Sequence, residues 1–254
     1  MSRIIAIANQ KGGVGKTTTA INLSAALAEK GMRVLLADLD PQGNSTSGLG
    51  VDKSADGNVY DLLVNDYRLE DCVRKGVWRS LDLVPSTVDL AGAEIELLDL
   101  ERHEFVLKRK LLPAADDYDY VLIDCPPSLN ILTVNALTTA DSVLVPIQCE
   151  FYAMEGLTQL MYTIQLVQKK LNPGLRIEGV VCTMYDGRTN FSQQVVDSVR
   201  EYLGDKVYET IIPRNVRLAE APSHGMPILE YDKRSAGAEA YRRLAAELIG
   251  AHAL

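Results

Sequence analysis

The segment Asn9-Gln10-Lys11-Gly12-Gly13-Val14-Gly15-Lys16-Thr17-Thr18 concentrates more chemistry than any other part of the chain. Glycines let backbone N–H groups turn inward and approach an anion without a Cβ in the way. An apolar run precedes the segment and a helical pattern follows it. This is the strand–loop–helix context of a phosphate-binding loop, where the helix N-terminus adds partial positive charge. In this reading the backbone of Gly12, Gly13, Val14 and Gly15 cradles a nucleotide polyphosphate. Lys16 reaches the β- and γ-phosphates, the Thr17 hydroxyl takes one position on Mg²⁺, and Thr18 bonds the α-phosphate. The common loop pattern has glycine six residues before its lysine, where this chain has Gln10, and a second lysine, Lys11, lies inside the loop. Lys11 is poorly placed for its own nucleotide. It could instead meet the phosphates of a facing subunit, as arginine fingers do in phosphoryl transfer, or simply be solvated at the loop edge; the residues alone leave both open.

Two further segments supply carboxylates. Val34-Leu35-Leu36-Ala37-Asp38-Leu39-Asp40-Pro41-Gln42-Gly43 reads as a buried strand ending in two acids. Acids at the C-terminal end of a parallel strand face the crevice where ligands bind, and residues two apart on a strand share a side. Two carboxylates repel a polyphosphate unless Mg²⁺ or an activated water lies between. Asp40 is therefore assigned to the attacking water, within the Mg²⁺ site, and Asp38 to the Mg²⁺ shell or to loop support. Turn chemistry is the competing explanation of Asp-Pro-Gln-Gly. Tyr120-Val121-Leu122-Ile123-Asp124-Cys125-Pro126-Pro127 has the Walker B form, an apolar strand and then one acid. Asp124 would hold Mg²⁺ through water, since Mg²⁺ keeps several of its waters. The double proline stiffens a segment suited to sensing a γ-phosphate. The expected catalytic set is Lys11, Lys16 and Asp40, and the expected metal set is Thr17, Asp40 and Asp124.

The elements that position these residues are legible as alternation. Short Val/Ile/Leu-rich runs fall at 4–8, 34–37, 81–84, 120–123, 142–147 and 177–182, with a further strand expected at 206–210. They do not alternate with polar residues, which suits strands buried on both faces. Helical patterns lie between them at 16–30, 87–112, 129–139, 154–171, 191–203 and 235–250. Lys30-Gly31 suits the end of the first helix, a cation in the last turn followed by a residue tolerant of positive φ. Residues 43–80 read as surface loop plus short helix. Strands separated by helices make βαβ units. The predicted fold is α/β: a single domain over 1–254 with a doubly wound, mostly parallel sheet flanked by helices, as in P-loop NTPases.

Composition bounds the rest. The 254 residues are 47% hydrophobic and 24% charged, ordinary globular usage that excludes a disordered, collagenous or coiled-coil chain. Net charge is −8, which argues against a protein coated in basic charge but leaves room for a local patch. Residues 183–254 carry 9 basic against 10 acidic side chains, whereas 1–182 carry 17 against 24. The C-terminal part is the better place for contact with a polyanion. Cys72, Cys125, Cys149 and Cys182 form no C-x-x-C pair, so a reducing, cytoplasmic setting is expected. The start, Met1-Ser2-Arg3-Ile4-Ile5, lacks the pattern of a signal peptide, and no run is long and apolar enough to span a membrane.

Taken together, these strings resemble the deviant Walker A ATPases of the ParA/Soj/MinD group, and above all Soj-type chromosome-partitioning ATPases, over nearly the whole chain. Lys11–Thr18, Asp38–Gly43, Asp124-Cys125-Pro126-Pro127-Ser128 and Ile212-Pro213-Arg214-Asn215-Val216-Arg217 carry the resemblance. The first and last are specific; the Walker B string alone is not. The resemblance implies that ATP, with Mg²⁺, drives a nucleotide-sandwich homodimer in which Lys11 contacts the partner subunit's ATP. It implies non-specific binding of double-stranded DNA, hence a cytoplasmic, nucleoid-associated protein, and release when a ParB/Spo0J-type centromere-binding protein stimulates slow hydrolysis. It places the base against Thr183, Met184, Pro213 and Arg214, and DNA against Arg188 and Arg217.

Three other readings compete. A MinD-like, membrane-associated cell-division ATPase would carry a basic amphipathic C-terminal helix. Here Ala240–Gly250 has few apolar residues, and Glu247 interrupts the basic face, so packing on the core is expected. An iron–sulfur carrier would need clustered thiolates. A metabolic P-loop enzyme acting on a small molecule would have no evident use for Lys11.

Overall fold

The computed structural model describes residues 2–54, 56–150 and 153–252, and the side chains of 153–155 lie outside that description, as does Met1. Seven strands, β1 (Arg3–Ile7), β2 (Val34–Asp38), β3 (Arg74–Trp78), β4 (Leu81–Val84), β5 (Tyr120–Asp124), β6 (Ser142–Gln148) and β7 (Arg176–Thr183), form one sheet. Their order is β3-β4-β2-β5-β1-β6-β7. Every neighbouring pair is parallel except β3 with β4. Helices cover both faces, so the fold is the expected α/β arrangement of P-loop NTPases.

The unbroken apolar runs have a direct cause. Alternate residues of a strand point to opposite faces, and both faces are buried. Ile4, Ala6 and Ala8 enter one hydrophobic cluster, with Leu35, Ala37, Val121 and Ile123. Ile5 and Ile7 enter the other, with Val34, Leu36 and Leu122. Because the central strands are parallel and in register, their C-terminal ends gather at one edge. Asp38 lies opposite Asp124, and Ile7 lies opposite Asp124 on the other side. That edge positions the phosphate loop and both acid segments.

The first helix, Lys16–Glu29, ends as read: Lys30 N–H bonds back into the last turn, and Gly31 has φ 86°. Three expectations need correction. Residues 206–210 are not a strand; Val207 forms only an isolated bridge with Val180. The backbone donors of Glu209 and Thr210 go instead to the Glu247 carboxylate, at 2.7 and 3.0 Å. Residues 87–112 do not form one helix. They divide into Leu90–Glu96 with a 3₁₀ turn, a break with Arg102 at φ 53°, and Val106–Ala115. Side chains of the helix Ile131–Thr139 hold that break open. Asn135 accepts from Leu107 N–H and donates to His103 O, and Thr138 donates to Glu104 O. The segment 43–80 contains, besides short helices, the antiparallel edge strand β3.

Candidate functional site

The loop after β1 is built by local hydrogen bonds and by glycine conformation. Asn9 accepts from Lys11 N–H at 3.0 Å and donates to Pro146 O at 2.8 Å, which ties the loop entry to β6. Gly13 (φ 74°) and Gly15 (φ 88°) occupy the left-handed region that disfavours a Cβ. A Cβ added at Gly13 meets no atom within 4 Å, so its constraint is conformational and not steric. Lys16 is buried within the loop, with Nζ 3.1 Å from the Lys11 carbonyl. Burial pulls its ammonium below the ordinary value, opposed chiefly by the Asp124 charge. Lys11 points elsewhere: its Nζ lies 3.7 Å from Glu150, just past β6, and both side chains are partly exposed. The two lysines of one loop thus serve different directions.

The acids divide just as clearly. Asp38 is fully buried and saturated with donors. Its Oδ2 accepts from Thr46 N–H (2.8 Å) and Thr46 Oγ1 (2.7 Å), and its Oδ1 from Asp40 N–H (3.2 Å). Asp40 begins a turn in which its own side chain accepts from Gln42 N–H at 2.9 Å. Asp124 accepts from Ser45 Oγ at 2.8 Å on Oδ2, and the Thr17 hydroxyl stands beside it. Its buried Oδ1 has no partner among the described residues. Burial raises both carboxyls above the usual carboxylate range, and repulsion from Asp38 raises Asp124 further. A buried carboxylate oxygen without a donor, next to a threonine hydroxyl and a phosphate-type loop, is the chemistry that a hard divalent cation satisfies.

Beside the loop lies a cavity of about 310 Å³ lined by Gly15, Thr18, Thr183, Met184, Pro213 and Arg214, with Tyr241 among the other walls. All four residues expected at the base therefore border it. Thr183 Oγ1 donates to Val14 O at 2.8 Å, so the floor of the cavity is fastened to the phosphate loop. Met184 has φ 52°, and Tyr185 N–H and Arg214 N–H close the chain against Ile212 and Tyr185 carbonyls. Arg188 and Arg217, read as DNA contacts, lie outside the cavity. Arg188 is 85% exposed yet pairs bidentately with Asp186 at 2.9 and 2.6 Å, which holds that carboxyl well below its usual range. Arg217 pairs with Glu220 and lies 3.7 Å from Asp232. The C-terminal helix, Ala236–His252, packs on the first helix through buried Ala238, Tyr241, Leu244 and Leu248; Tyr241 OH meets Thr19 Oγ1 and Arg242 pairs with Glu29.

The model of the AAA domain matches residues 2–177. The chain is 58% identical over 249 residues to the sporulation initiation inhibitor protein Soj of Bacillus subtilis, covering 98% of both. It is 54% identical to the chromosome partitioning protein ParA of Myxococcus xanthus, covering 98% of this chain and 88% of that one. The chain belongs to the Soj/ParA family of chromosome-partitioning ATPases. Among solved structures, this Soj/ParA-family chain superimposes with TM-score 0.87 and 42% identity on a Mycobacterium smegmatis protein described as cobyrinic acid a,c-diamide synthase with bound ADP and magnesium, covering 98% and 94% of the two chains.

Sequence reasoning about this Soj/ParA-family ATPase missed Ser45, Thr46, Asn9 and Glu150. Ser45 and Thr46 follow Asp40-Pro41-Gln42-Gly43-Asn44 directly, and hydroxyls just past an acid-rich turn are a signal that was available. Glu150 carried none, because its importance comes only from the parallel strands that set β6 beside β1.

Proposed function

We propose that this partitioning ATPase uses ATP and Mg²⁺ to form a face-to-face homodimer that binds double-stranded DNA without sequence preference, and that a ParB/Spo0J-type partner stimulates hydrolysis and releases it at the nucleoid. The observation that carries the reading is the division between the two loop lysines: Lys16 turned in and buried, Lys11 turned out to the rim. One loop cannot use both on one phosphate chain in that geometry, and an outward lysine has a use if a second subunit presents its nucleotide.

In this mechanism the backbone of Gly12, Gly13, Val14 and Gly15 holds the phosphates, with Lys16 on the β,γ side, Thr18 toward the α-phosphate and Lys11 offered in trans. Thr183, Met184, Pro213 and Arg214 hold the base. Thr17 and Asp124 fit the cation, with Asp40 at its edge. A bound Mg²⁺ would supply charge neutralisation to the phosphoryl group being transferred. Asp40 orients the attacking water and accepts its hydrogen bond, while Asp38, tied to Thr46, keeps the Asp40 turn in place. Arg188 and Arg217 neutralise DNA phosphates, and dimerisation doubles those contacts.

Gel filtration and DNA binding with ADP and with ATP test the scheme. Asp40→Ala with ATP should be a stable dimer on DNA, Lys16→Ala should neither dimerise nor bind DNA, and Arg188→Glu should dimerise without DNA. Lys11→Ala should bind ATP and stay monomeric; a Lys11→Ala protein that dimerises like the wild type refutes the in-trans role. The described name of the M. smegmatis structure favours a second reading, a small-molecule synthase. Turnover that rises with a small-molecule acceptor and ignores DNA would establish that reading. The MinD-like alternative gains nothing from the C-terminal helix, whose apolar side is spent on the core.

A further inference from the structure

Far along the chain from the phosphate loop, the outer side of the helix Val106–Ala115 borders an open cleft of about 540 Å³. Its lining is Arg102, Phe105, Lys108, Arg109, Leu112 and Pro113: three cations, three apolar side chains and no carboxylate. The spacing 105, 108/109, 112 is one helical face, opposite the buried face of Val106, Leu107, Leu111 and Ala115. Among the described residues none of the three cations forms an ion pair; Arg109 donates only to the Arg102 carbonyl, at 3.3 Å. In a chain with eight more acids than bases, a concave site whose charged lining residues are three cations without an ion pair attracts an acidic ligand, although Asp66 and Glu70 line the adjoining pocket that shares Arg109.

The apolar side of the feature is continuous in sequence with the cleft. Leu112 is 44% exposed within it, and Leu98 (55%) and Leu100 (42%) lie just before Arg102. Pro113, inside the helix, has no N–H, so the Arg109 carbonyl lacks its helical donor at the cleft wall. Unpaired cations and an apolar lining together match one class of ligand.

We propose that this cleft docks a short segment of a partner protein in which acidic residues flank a bulky apolar one: carboxylates meet Arg102, Lys108 and Arg109, and a leucine or phenylalanine packs on Phe105 and Leu112. Concavity favours a peptide over a bilayer surface, and the apolar floor favours it over the phosphate backbone of a nucleic acid. The site does not depend on the dimer or on the DNA reading.

The test uses the full chain and fluorescence anisotropy with two short labelled peptides, one of Asp, Glu, Leu and Phe, the other with lysine replacing every acid. The acidic peptide should bind at least about tenfold more tightly, and the double variant Arg102→Glu/Arg109→Glu should weaken it by about tenfold with unchanged basal ATP turnover. Leu112→Asp, a second exposed substitution, should weaken it as well. Equal binding of the two peptides, or wild-type affinity in the double variant, overturns the proposal. So does a double variant whose only loss is binding to phosphatidylglycerol vesicles or to duplex DNA.

Discussion

Thr46 shows how much of this site rests on side chains that touch no substrate. Its hydroxyl donates to Asp38 Oδ2 and accepts from Ser86 N–H at 2.8 Å, entirely within the interior. Thr46→Val keeps the shape but leaves the Ser86 donor and part of the Asp38 carboxyl unpaired. A buried polar group stranded in this way costs about 1–3 kcal/mol. The expected result is a loss of roughly 2 kcal/mol in urea unfolding, with Thr46→Ser losing less because it keeps the hydroxyl. A larger loss for serine than for valine would mean that the methyl group, not the hydrogen bonds, matters here. The contrast with Asp124 is instructive at this scale. Both acids end parallel strands in the same register. What separates loop support from a cation-type site is three donors on one and an unpartnered oxygen on the other, and this is invisible in a run of letters that ends in Asp either way.

At the scale of elements, the central strands and long helices were readable because hydrophobic period and burial agree. The strand β3 was not, since Arg74, Lys75 and Gly76 give it no apolar run and it lies half exposed at the sheet edge. The break at 100–105 and the lost strand at 206–210 share a cause: their backbone groups are satisfied by side chains about 30 to 40 residues away, Asn135 and Thr138 for one and Glu247 for the other. Local pattern cannot see such partners. Glu247→Ala should therefore leave two backbone donors without their partner and destabilise the chain by about 1–2 kcal/mol, read in urea, with slower loss of helix content than of the C-terminal docking. The pair between Glu29 and Arg242, at 2.6 and 3.1 Å, joins the first helix to the last. The hydrogen bond from Arg242 lowers the Glu29 carboxyl below its ordinary 4.5. A depressed acid stabilises the fold fully above its unfolded value and stops doing so as pH falls through the folded one. Glu29→Gln should thus cost about 0.5–1 kcal/mol at pH 7 and progressively less below about pH 4.5. A deficit that does not change between pH 7 and pH 4 would show that packing, not charge, joins these helices.

At the scale of the whole molecule, a net charge of −8 means that any hold on DNA must come from a few local cations working against the general field. The sequence showed only that the C-terminal part is less acidic. It could not show that Arg188 and Arg217 are each already engaged by carboxylates of the same chain. Under the proposed function that pairing would make DNA binding a competition, in which a phosphate must displace Asp186 before it gains Arg188. Removing the competitor with Asp186→Asn should raise DNA affinity of the ATP-bound dimer, whereas Arg188→Ala should lower it. Each phosphate contact contributes about 0.9 to the slope of log affinity against log salt, so a dimer lacking both copies of Arg188 should lose a slope of about 1.8. An unchanged slope in Arg188→Ala would remove this residue from the interface. An Asp186→Asn dimer with wild-type affinity would show that this ion pair opens at no cost, leaving Arg188 as free to meet a phosphate as any solvated cation.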